Sequence, residues 1–148
     1  MQSLIRRLTY LASVTFVLLT ASHTSYAQIP NPILYMTDAQ SATVGGQDVV
    51  RYRYDVANKD AYPANLFAAA PSLPPCGANT NASRTWVDLF DQSGKRLNGF
   101  CALSSPQQLS SIWFALPVNV VPPSWIFIVL TDRETNAKYK SNLAETTQ

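Results

Sequence analysis

Arg84 to Leu103, RTWVDLFDQSGKRLNGFCAL, limits the possible folds more than any other stretch of the chain. Two runs rich in apolar residues flank Asp91-Gln92-Ser93-Gly94, a type I turn signal closed by glycine. This predicts a β-hairpin in which Gly94 takes the left-handed region and forms a bulge. Counting outward from the turn sets Asp91 against Lys95, Phe90 against Arg96, Asp88 against Asn98 and Trp86 against Phe100. One face then carries Trp86, Asp88, Phe90, Arg96, Asn98 and Phe100, and the other carries Val87, Leu89, Leu97 and Cys101. The aliphatic face is the expected core side. The mixed face is the candidate binding surface, because aromatics interleaved with a carboxylate, an amide and a guanidinium suit recognition of a peptide or sugar.

The remaining runs are short and punctuated. Ile33 to Met36 reads as an edge strand, and Gly45-Gly46 as a turn. From Asp48 to Val56, Val50, Tyr52, Tyr54 and Val56 share one parity while Arg51, Arg53 and Asp55 share the other. That alternation predicts a strand with one face buried and one wet. Asn58 to Ser83 carries four prolines, which forbid a long helix, with Leu66-Phe67-Ala68-Ala69-Ala70 in its middle. It reads either as a functional loop or as a segment hiding a short element, with one helical turn allowed around Ala64 to Ala70, and Leu66 and Phe67 join the candidate binding surface. Ile112, Phe114 and Leu116 are the expected inward residues of the next strand. Trp125 to Leu130 reads as a central strand covered on both faces, Lys138 to Leu143 as the last strand, and residues from Ala144 as a frayed tail.

Residues 1–27 are set apart as a helical signal peptide. Arg6 and Arg7 form a basic start, Leu8 to Thr20 an apolar run, and Ser25-Tyr26-Ala27 a small-residue cleavage site. The expected domain is 28–148, with its core about 33–143, in a secreted or periplasmic protein that meets a membrane only through the leader. Removing the leader takes away Arg6, Arg7 and His23. Nine basic residues then face nine acidic ones, so nucleic acid is not an expected partner. No histidine remains for a Ser/His or Cys/His pair or for a zinc site. Cys76 and Cys101 are the only cysteines, and in an exported chain they predict a disulfide. Closing a loop of that length is worth roughly 3–4 kcal/mol.

About seven strands with no long helix predict an all-β, two-sheet antiparallel sandwich. The order of a Tyr-rich alternating strand, the Trp-bearing Thr85-Trp86-Val87 and a late aromatic run, Trp125 to Leu143, resembles an immunoglobulin-like or fibronectin type III-like domain. Pro75-Cys76-Gly77, Arg84-Thr85-Trp86-Val87-Asp88 and Phe100-Cys101-Ala102-Leu103 together resemble a pattern of uncharacterised bacterial exported proteins.

Catalytic signatures are missing. Asp88 and Asp91 lie three apart on a strand and point to opposite faces, and no S-x-x-K spacing occurs. Asp132 and Glu134 read as solvated turn charges. The expected function is therefore a non-catalytic binding or accessory module of the cell envelope, without cofactor or metal, recognising a protein or glycan. The alternative is an assembly subunit that pairs through an edge such as Ile33–Thr37. A hydrolase using carboxylates alone is the third reading.

Overall fold

The computed structural model describes residues 28–76, 83–101 and 103–147. The expected signal peptide lies outside the described residues. Eight strands follow one another: β1 Leu34–Val44, β2 Gln47–Val56, β3 Thr85–Asp91, β4 Arg96–Phe100, β5 Ile112–Pro117, β6 Trp125–Asp132, β7 Lys138–Lys140 and β8 Ala144–Glu145. They form two antiparallel sheets, a smaller one ordered β1-β2-β5 and a larger one ordered β4-β3-β6-β7, with β8 also on β6. The sheets share one core, giving a sandwich-like arrangement.

The alternation in β2 does what its pattern requires. Tyr52, Tyr54 and Val56 are buried, and Ile112 and Phe114 of β5 meet them from the neighbouring strand. Tyr52 and Tyr54 both stack on the Phe114 ring, at 4.9 and 6.1 Å between centroids. From the larger sheet come Val87, Leu89, Ile126, Ile128 and Leu130. β6 is a central strand, between β3 and the β7–β8 edge. Gly45 and Gly46 both have positive φ, 59° and 80°, which closes the β1–β2 hairpin with a two-residue turn.

The 84–103 hairpin turns as expected. Gly94 has φ 87°, Gly94 N donates to Asp91 O, and Asp91 Oδ1 accepts from Ser93 N and Lys95 N. Phe90 does face Arg96. Beyond that pair the expected register fails. Leu97 is an extra residue, so Leu89 faces Asn98, Asp88 faces Gly99 and Val87 faces Phe100. Leu97 and Phe100 both pack against the core although they are three apart, which a straight strand cannot achieve. The bulge thus carries Asn98 and Phe100 off the mixed face and onto the core side.

Three further expectations are corrected. Leu66 and Phe67 are only 1% exposed; they belong to the core, not to a binding surface. Their segment forms two 3-10 turns, Lys59–Ala61 and Ala64–Phe67, which let the proline-rich chain drop both side chains inward. Asp132 is buried rather than solvated. The chain from Ala144 is not frayed: β8 pairs with β6, Ala144 and Thr146 are buried, and Thr146 bonds back to Ser124 and Pro123. Cys76 and Cys101 form the expected disulfide.

Candidate functional site

The bulge splits the predicted surface into two places. Trp86, Asp88, Phe90 and Arg96 stay on the outer face of the larger sheet. There Arg96 Nε donates to Asp88 Oδ1 at 2.6 Å, and a Cβ on Gly99 would collide with the Arg96 guanidinium lying across it. Phe90 stacks on Phe127 at 5.3 Å, and Lys140 Nζ lies 4.0 Å over the Phe127 ring. Arg133 covers Trp86 at 5.6 Å and is itself held by the carbonyls of Pro74 and Ser83. These aromatics are already paired or overlaid by cations.

Asn98 and Phe100 instead meet β5 at the seam where β4 approaches the smaller sheet. Asn98 Nδ2 donates to the Trp113 carbonyl at 2.8 Å. The Phe100 ring meets the Trp113 indole edge-on, 6.3 Å between centroids at 68°. Trp113 is 36% exposed and stands between two concavities. One, of about 270 Å³, is lined by Arg51, Arg53, Ser110, Ser111, Ile112 and Trp113. The other, of about 450 Å³, is lined by Gly99, Phe100, Cys101, Leu103, Gln108, Ser111 and Trp113. Ser111 and Trp113 line both, so the two concavities adjoin at Trp113 and are described together as a groove.

The charges of the first concavity come from the wet parity of β2. Arg51 and Arg53 face outward because Tyr52 and Tyr54 face inward. Arg51 Cζ lies 4.8 Å over the Trp113 ring, and Arg51 Nε is buried without a hydrogen-bond partner. Arg53 Nη1 is 3.7 Å from Asp38 Oδ2, a loose ion pair. Asp55, next along the same parity, is fully engaged by Lys59, Tyr35 and Ser110. Burial would raise its carboxyl, yet those bonds hold it below the ordinary range.

The sequence reading missed Arg51, Arg53, Ser110, Ser111 and Trp113 as a site. Their only signal was outward parity on two strands whose pairing is not written locally. The remaining acidic candidates serve the fold. Asp132 takes both guanidinium bonds of Arg84, at 2.8 and 2.7 Å, and further bonds from Glu134 N and Thr135 Oγ1. Those bonds, led by the one from Arg84, hold its carboxyl at about 2. Another hollow, of about 580 Å³, lies against Tyr62, Asn65 and Arg84, where Tyr62 is pinned to the Pro30 carbonyl. Among the described residues no three His, Cys, Asp or Glu side chains gather into a metal-binding group. Comparison with known protein families, with curated proteins and with solved structures returns no match.

Proposed function

We propose that this protein is an exported, non-catalytic binding module of the cell envelope that captures a protein partner in the groove astride Trp113. The observation that carries this reading is the Arg51–Trp113 pair: a guanidinium over an exposed indole at the wall of a concavity. Export rests on the pattern of residues 1–27 and accords with the disulfide. Among the described residues no helix is long and apolar enough to cross a membrane. The immunoglobulin-like or fibronectin type III-like reading is supported by the strand order, with three strands of one sheet facing a hairpin and the late strands of the other. The test is a photo-crosslinking residue placed at Ser111 in cells. A discrete envelope protein attached there supports the reading. Adducts only at a control position such as Trp86 move the site to the outer face of the larger sheet and overturn it.

A second reading, assembly through an edge strand, is favoured by β1. Among the described residues this 11-residue strand ladders only with β2. The expected docking segment needs moving, however. Ile33 is held by Ala57 and Asn58, and Leu34 by Asn142, so the available edge lies nearer Val44. A protein that stays monomeric at high concentration, with no crosslinked self-adduct along β1, would remove this reading.

A further inference from the structure

We infer that the groove holds a short segment of a partner protein that carries a carboxylate beside an apolar side chain. The carboxylate sits against Arg51 and Arg53, and the apolar side chain lies across Trp113 over Phe100 and Leu103. This rests on the reading of the groove as the binding site and adds the chemistry of what it takes.

The charged half selects the anion. The Arg51 guanidinium carbon lies 4.8 Å over the Trp113 ring, which sets a positive charge at the wall of the concavity. The paired terminal Nη groups of a guanidinium match the two oxygens of a carboxylate, which a point-like cation does not. Arg53 places a second guanidinium on the same wall, loosely paired with Asp38 at 3.7 Å. Ser111 is a hydroxyl-bearing residue on the same wall.

The second half selects the neighbour. Across Trp113 the lining turns to Phe100, Leu103 and the disulfide-bonded Cys101, with Gln108 at the rim. That hollow suits an apolar side chain beside the carboxylate.

The test is an NMR titration of the disulfide-bonded protein. Its three tryptophans, Trp86, Trp113 and Trp125, provide three indole N–H signals, assignable with Trp113→Phe. Four peptide probes are used, N-acetyl-Phe-Glu-amide, its neutral Phe-Gln counterpart, N-acetyl-Gly-Phe as the free acid and the same peptide as the amide, with glucuronate as a fifth, sugar probe. We expect the Trp113 signal to shift and saturate with an acidic probe and not with its neutral partner. Saturation by the glutamate peptide identifies an internal acidic residue, and by the free acid a chain terminus; either supports the proposal. Arg51→Met, which keeps the stem over the indole, should weaken acidic binding about tenfold or more, as loss of a charge-assisted fork does. Arg53→Gln should weaken it less. Equal binding of acidic and neutral peptides overturns the carboxylate while leaving the groove as a peptide site. Silence with all four peptide probes, or binding untouched by Arg51→Met, overturns the proposal. Saturation by glucuronate with the peptides silent overturns it in favour of a glycan. The Ser111 crosslink decides separately whether the groove binds a partner at all.

Discussion

Asn142 bonds Leu34 as a neighbouring strand would: Leu34 N donates to Asn142 Oδ1 at 2.8 Å, and Asn142 Nδ2 donates to Leu34 O at 2.9 Å. A single side chain thus satisfies both backbone groups on the open side of β1 and ties the smaller sheet to the chain between β7 and β8. Asn98 makes the corresponding tie at the opposite seam, to the Trp113 carbonyl. Asn58 flanks β1 in the same way, accepting from Ile33 N and donating to Asn31 O. At the two seams between the sheets the tie is thus a side-chain amide, Asn142 both donating and accepting and Asn98 donating.

Asn142→Ala removes two partly buried hydrogen bonds and leaves Leu34 with unmet backbone groups. The expected loss is about 1–3 kcal/mol, read as a lower urea midpoint. Amide exchange at Leu34 should accelerate more than at Tyr54 in the core. Equal exchange in variant and parent would refute the tie.

Asp132 makes stability depend on acid. Its folded pKa, about 2, lies below the ordinary value of 3.8 because Arg84 and two other donors, Glu134 N and Thr135 Oγ1, favour the carboxylate. The stabilisation is complete above pH 3.8 and is lost as pH falls through about 2, amounting to about 2 kcal/mol. Asp132→Asn should destabilise at neutral pH by about 1–3 kcal/mol, since Arg84 then keeps only Glu134 as an ionic partner. The same variant should lose that part of the acid slope. A parent-like slope between pH 4 and 2 would contradict this assignment.

Phe67 and Trp86 were both expected at a binding surface, and substitution separates them. Phe67→Ala empties a fully buried site and should cost about 3–5 kcal/mol. Trp86→Ala, on the outer face under Arg133, should cost clearly less and leave the protein folded. Thermal unfolding of the two variants decides the order.

Reduction of Cys76–Cys101 should lower stability by about 3–4 kcal/mol, since it frees a loop spanning 25 residues. The bond itself is checked by a shift on a non-reducing gel and by the appearance of two titratable thiols only after reduction.

Strands with regular alternation were legible in the sequence. Tyr52, Tyr54, Val56, Ile112 and Phe114 are buried as their parity predicts, with Val50 and Leu116 partly buried toward the strand ends, because one side of each strand meets apolar neighbours and the other meets water. The Gly94 turn was legible for the same local reason, as only glycine takes φ 87° without a steric penalty. Asp132 was misread because nothing near it in the chain announces Arg84, 48 residues away. The tail from Ala144 was misread because its partner strand starts at Trp125, and so short a segment shows no period of its own.

The 84–103 hairpin holds both outcomes. Its turn, its two strands and its cysteine followed from residue types within a few positions of one another. Its faces did not. Leu97 and Phe100 can both reach the core only if one residue bulges, and that need comes from the opposing sheet rather than from the hairpin. Local chemistry therefore determined that strands form and where they turn. Only packing of the two sheets decided which side chains meet, and it brought Arg51, Trp113 and Phe100 together from three separate strands.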